Sequence, residues 1–98
     1  MAKRKIEWSP NALEDLSIIL NYYIERNGNK NYSRKLLTQI KKIISFIRDN
    51  NYLGKTTDDS KTRVLIYKNY KIFYEITEEK IKIKIIWDSR RNPEDLDI

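Results

Sequence analysis

The chain contains no cysteine and no histidine in its 98 residues. Without cysteine there is no disulfide framework, no thiol nucleophile and no cysteine-based zinc site. Without histidine, the commonest general base and the commonest metal ligand are both missing. Most metalloenzyme and serine–histidine hydrolase readings fall with them. Glycine and proline occur only twice each, and no repeat, low-complexity tract or interdomain linker breaks the chain. No apolar run approaches the roughly 20 residues that a membrane span requires. The basic start, Met1 to Lys5, leads into Ile6-Glu7-Trp8 and not into an apolar stretch, so no secretory signal is expected.

What remains suits one compact domain over residues 1–98, since 11.9 kDa is too little for two. An apolar content of 40% supports a core, and a charged content of 35% keeps it in solution. Twenty Lys and Arg against 14 Asp and Glu leave a net charge of +6, which favours an anionic partner.

Two periodicities divide the chain. Lys3 to Trp8 alternates as a short strand. Ser9-Pro10 then supplies a helix N-cap with proline at the first helical position. Leu13, Leu16, Leu20 and Tyr23, with Ile19 and Ile24 beside them, recur at helical steps up to the stop at Asn27-Gly28. A second helix is expected from about Tyr32 to Asp49, with Leu36, Ile40, Ile43, Ile44 and Ile47 on one stripe. Its other face carries Arg34, Lys35, Lys41, Lys42 and Arg48. The link between the helices is too short for anything but an antiparallel hairpin.

Asn50 to Thr62 shows no period and reads as a long irregular loop, either mobile or functional. Beyond it the period becomes two. Arg63 to Tyr67, Tyr70 to Ile76 and Ile81 to Trp87 read as three strands of an antiparallel meander, turning at Lys68-Asn69 and at Thr77 to Lys80. In the last strand the pattern puts Ile81, Ile83, Ile85 and Trp87 on one face. The order β-α-α-β-β-β makes a two-layer α+β fold, a helical hairpin on a mainly antiparallel sheet.

Several of these residues also carry a family resemblance. Trp8-Ser9-Pro10 with Ala12, Asp15 and Leu16 forms the first piece. Arg63, Tyr67 and Tyr70, leading into Ile72-Phe73-Tyr74-Glu75-Ile76, form the second. The closing piece is Ile86-Trp87-Asp88-Ser89-Arg90-Arg91-Asn92-Pro93-Glu94. In this order the chain resembles a RelE/ParE-type toxin of a bacterial type II toxin–antitoxin module, from about residue 3 to residue 96. The resemblance implies a cytoplasmic protein that arrests growth and is held inactive, as a hetero-oligomer, by a small acidic cognate antitoxin. It implies no cofactor and no metal. One branch of such toxins cuts mRNA on the ribosome, and the other poisons DNA gyrase.

For the RNA-cleaving branch the resemblance assigns catalytic roles to Arg63 and Arg90, both stabilising the scissile phosphate. Paired, forked guanidiniums at Arg90 and Arg91 suit phosphate. Lys55 and Lys61 in the loop are candidates for backbone contact, and Tyr70 for stacking on a base. Asp88 is read as an orienting partner of an arginine, because a neighbouring cation makes a carboxylate a poor base. The bland alternative for Arg63 is an exposed strand-end charge or a salt bridge to Glu75. If the strands bring the start of the second and the end of the fourth to one sheet edge, Arg63 and Arg90 face one phosphate together. Ribonuclease members carry a tyrosine, or a histidine with a tyrosine, near the C-terminus. Here Pro93 to Ile98 has neither, and Leu96 stands in that place. That shifts weight toward a gyrase-directed toxin without deciding. The first reading is a toxin that cleaves mRNA on the ribosome, with Arg63 and Arg90 stabilising the phosphate. A gyrase-directed binding toxin is the alternative, and a nontoxic basic adaptor is the third reading.

Overall fold

A computed structural model describes residues 4–89. Strand β1 (Lys5–Trp8) leads into helices α1 (Pro10–Asn27) and α2 (Asn31–Asp49), followed by strands β2 (Lys55–Thr56), β3 (Thr62–Tyr67), β4 (Tyr70–Ile76) and β5 (Lys80–Asp88). The five strands lie in the order β1-β5-β4-β3-β2, with β1 parallel to β5 and every other pair antiparallel. The helical hairpin covers one face. The fold is therefore the expected α+β sandwich, with one added strand.

Local chemistry sets the boundaries. Ser9 caps α1 by accepting from the Ala12 N–H at 3.0 Å, and its own hydroxyl donates to the Lys84 carbonyl at 2.8 Å. One side chain thus starts the helix and pins it to β5. Gly28 ends α1 with φ of 72°, a left-handed exit that glycine adopts without strain. The Ser33 hydroxyl donates to the Leu20 carbonyl at 2.6 Å and ties α2 to α1.

The core lies between the hairpin and the sheet. Leu16, Ile40, Ile44 and Ile47 are buried against Ile72, Tyr74, Ile81 and Ile83, and Leu20 packs at the margin. Leu13, expected on the buried stripe, is 53% exposed. It shares only its spacing with that stripe: the buried side of α1 follows Ala12, Leu16 and Ile19.

Two further expectations need correction. The segment from Asn50 to Thr62 is not irregular throughout: Lys55 and Thr56 form β2 and pair with Val64 and Arg63. Two residues are too few to show an alternating pattern, so sequence periodicity misses them. In β5 the single-face reading fails at a bulge. Tyr74 pairs with Ile83 but Phe73 pairs with Ile85, so Lys84 is an extra residue on β5. Past the bulge the faces exchange. Ile86 joins Ile81 and Ile83 in the helix-side core, while Ile85 and Trp87 pair with Phe73 and Lys71 on the far face.

Candidate functional site

Arg63 is the second residue of β3 and stands opposite Tyr74 of β4. Both point to the helix side of the sheet, where α2 hands the chain to β2. The Arg63 guanidinium donates to the Gly54 carbonyl at 2.7 Å and lies 4.8 Å over the ring of Tyr52. The Tyr74 hydroxyl accepts from the Gly54 N–H at 2.8 Å and donates to the Asn51 carbonyl at 2.8 Å. Burial pushes the Tyr74 phenol above its ordinary value, an effect partly opposed by the Gly54 N–H and by Arg63. Asn51 in turn closes the end of α2, donating to the Ile47 and Arg48 carbonyls at 2.9 Å each. Arg4 completes the cluster, donating to the Thr77 carbonyl at 2.7 Å and to the side-chain oxygen of Asn51.

These side chains border an open groove of about 540 Å³ lined by Arg4, Tyr52, Lys61, Arg63, Glu75 and Glu78. Three cations and two carboxylates share it, so its field is mixed. Neither bland reading of Arg63 holds as stated. It is half-buried and bound to the backbone, and the ion pair of Glu75 is with Lys84, at 3.8 Å.

The other expected site residues separate. Lys61 shares the groove with Arg63, and its backbone N–H is held by Asp59 at 3.0 Å. That hydrogen bond, with lesser help from Thr62, lowers the Asp59 carboxyl below its ordinary range. Lys55 stands opposite Val64, one position from Arg63, and therefore lies on the far face of the sheet. Tyr70 is 2% exposed, its hydroxyl 3.3 Å from that of Tyr23, so it has no face to offer a base. Burial, reinforced by that contact with Tyr23, raises the Tyr70 phenol well above its ordinary value. Arg90 and Arg91 lie outside the described residues.

The strand register answers the shared-edge expectation. Arg63 is level with Tyr74, whereas Asp88 at the end of β5 is level with Tyr70. Four residues of β4 separate the two levels, about 13 Å at ~3.3 Å per residue. Because β3 and β5 run the same way on either side of antiparallel β4, the start of one and the end of the other fall at opposite ends of the sheet. A single edge does not hold both.

Sequence reasoning missed Arg4, Tyr52, Gly54 and Tyr74 as one cluster. Gly54, inside an unpatterned stretch, was the available signal. A Cβ there would sit 2.8 Å from both the Tyr74 hydroxyl and the Val64 carbonyl, so only glycine fits.

A second feature lies across the molecule. Ile18, Ile19, Tyr22, Tyr23 and Ile86, with the carboxylates Asp15 and Asp88, line a mainly apolar groove of about 520 Å³ between α1 and the end of β5. Ile18 and Tyr22 are 55% and 49% exposed along it. Among the described residues, no group of His, Cys, Asp and Glu could hold a metal ion, and no helix is long and apolar enough to cross a membrane.

The family model that matches the chain is that of the ParE toxin of the type II toxin–antitoxin system parDE, over residues 6–93. The chain belongs to this family, and so is a toxin of the type II toxin–antitoxin class. Among solved structures it is similar to the chromosomal ParDE toxin–antitoxin system from P. aeruginosa. That match has 18% identity and a TM-score of 0.74, covering 86% of this chain and 94% of the other. It is also similar to the E. coli DinJ-YafQ toxin–antitoxin complex, with 12% identity, a TM-score of 0.61, and 91% and 96% of the two chains covered. YafQ from E. coli strain BL21(DE3) matches at 12% identity and a TM-score of 0.55, over 90% and 96% of the chains. At these identities the structural likeness concerns the fold. No curated protein sequence matches the chain.

Proposed function

We propose that this ParE-family chain arrests growth by binding its target, DNA gyrase, and not by cutting mRNA. The observation that carries the reading is the commitment of Arg63. A phosphate-stabilising arginine must aim its guanidinium at a reacting group. Here that guanidinium is bound to the Gly54 carbonyl and stacked on Tyr52, at the opposite end of the sheet from the end of β5. Tyr70, the phenol weighed for stacking on a base, and Tyr74, the phenol opposite Arg63, are both buried, and each is pushed away from ionising. General acid–base chemistry needs a group of accessible proton affinity within reach of substrate.

A binding toxin needs surface, and the chain has it. The groove beside Ile18 and Tyr22 offers apolar contact of the kind that anchors protein partners. A small acidic antitoxin is the partner that would hold the toxin inactive. Two of the structural relatives come from toxin–antitoxin assemblies, and the net charge of +6 suits an acidic segment.

Conditional expression tests the reading. Plasmid supercoiling should relax soon after induction, while mRNA on ribosomes stays intact. Rapid mRNA cleavage with supercoiling preserved would instead establish the ribonuclease reading. Normal growth with the chain abundant and folded would point to a nontoxic adaptor.

A further inference from the structure

The outward face of α2 is a cationic surface that the proposed function does not use. Arg34, Lys35, Lys41 and Lys42 are all exposed on it. Residues seven apart return to nearly the same side of a helix, so Arg34 with Lys41, and Lys35 with Lys42, form two adjacent rows. Thr38 and Ser45 occupy the turns along the first row, and both are exposed. From Asn31 to Asp49 the only acid is Asp49, and it is 3.7 Å from Arg48. Solvated helix faces ordinarily intersperse the two signs. This one does not.

The surface continues past the helix. Lys68, exposed in the β3–β4 turn, lines a groove of about 340 Å³ together with Lys35, Gln39 and Tyr67. The helix α1 has the contrary character, with Glu14, Asp15 and Glu25 against Arg26. The positive charge of the helical layer is therefore confined to one side.

We infer that the Arg34, Lys35, Lys41, Lys42 and Lys68 surface binds the phosphodiester backbone of nucleic acid. Two arguments favour a polyanion over an acidic protein segment. Protein interfaces are anchored by buried apolar and aromatic side chains. Between the cations of α2 the exposed positions are Thr38 and Ser45; Leu13, Ile18 and Tyr22 lie on α1, and the exposed apolar residues of α2, Tyr32 and Phe46, stand in its first and last turns. Second, the surface is long. Arg34 to Lys42 spans about 12 Å at 1.5 Å per residue, a length over which a duplex presents about 7 phosphate charges. Short polar residues between long cations let such a backbone approach the helix.

The inference is independent of the gyrase reading and is tested without gyrase or ribosomes. Labelled 30-base-pair duplex DNA and a labelled single-stranded RNA are titrated with purified protein at several salt concentrations. The variant Arg34→Gln/Lys41→Gln/Lys42→Gln is compared with Lys55→Gln/Lys80→Gln/Lys82→Gln, which removes the same charge from outside the α2 surface. The α2 variant should bind at least tenfold more weakly than the control. Its salt slope should be shallower by about 0.9 per lost phosphate contact on duplex, or about 0.7 on single strands. Loss on the duplex or on the RNA identifies the nucleic acid concerned, and loss on both shows that the shared backbone suffices. Equal weakening by both variants would reduce the effect to net charge and overturn the inference. So would an absence of wild-type binding to either probe, or wild-type binding to polyglutamate in preference to both. The substituted positions are exposed except for half-buried Lys80, which pairs with Glu7, and matching melting temperatures confirm that all three proteins are folded.

Discussion

Arg63 and Tyr74 face each other across β3 and β4 and divide one glycine between them. The arginine takes the Gly54 carbonyl and the tyrosine hydroxyl takes the Gly54 N–H. The chain leaving α2 is thereby fixed to the sheet at both polar groups of a single residue. Tyr74→Phe strands a buried N–H and should cost about 1–3 kcal/mol. Gly54→Ala forces a methyl against the Tyr74 hydroxyl and the Val64 carbonyl, and overpacking of this kind also costs about 1–3 kcal/mol. Denaturant unfolding measures both; a change under 0.5 kcal/mol in either would show that the clasp is slack.

Arg63→Ala separates structure from catalysis. Losing the bond to Gly54 should destabilise the fold by about 1–2 kcal/mol, the range of a hydrogen bond from a charged group that is only half-buried. In a domain of this size that is roughly 4–16 °C of melting temperature. Arg63→Ala should nevertheless arrest growth at temperatures where it remains folded. An unchanged melting temperature with toxicity abolished would return Arg63 to a phosphate-binding role.

The helix face is tested by a pair of truncations. Ile44→Ala empties a position 4% exposed in the core and should cost about 2–5 kcal/mol. Leu13→Ala removes a side chain that is 53% exposed and should stay within about 0.5 kcal/mol of the parent. Thermal melts that reverse this order would mean that α1 presents its other side to the sheet.

Alkaline stability reports on Tyr70. Burial and the Tyr23 contact raise its pKa in the folded state above the ordinary value of 10.0. The neutral phenol therefore contributes stability that is fully present below pH 10. It is lost as pH rises above 10 toward the folded-state value, because the unfolded chain ionises first. The melting temperature should fall through that window, and Tyr70→Phe should flatten part of the fall. An identical alkaline limb in the variant would assign the loss to other groups.

The element order and both helices were legible because long stretches kept a single period. Ser9-Pro10 and Gly28 marked the ends of α1 by chemistry that acts within a few residues. Three things were not legible, each for a physical reason. Strand β2 is shorter than one alternation, so it has no pattern to detect. The bulge at Lys84 is invisible because Ile85 and Ile86 are equally apolar, and only pairing with β4 decides which one faces the helices. The partner of Arg63 is a backbone carbonyl, and a main-chain group carries no signature in the side-chain sequence. Tyr70 illustrates the same limit: alternation placed it in a strand, yet its burial depends on Tyr23, 47 residues away.

The central claim, that this ParE-family chain acts by binding gyrase, is tested most directly by a supercoiling assay with purified gyrase and relaxed plasmid. Toxin added in increasing amount should inhibit supercoiling in a saturable manner, and the Arg63→Ala protein, assayed well below its melting temperature, should inhibit equally. Undiminished supercoiling at saturating toxin, by a preparation that cleaves mRNA on translating ribosomes, would contradict the account.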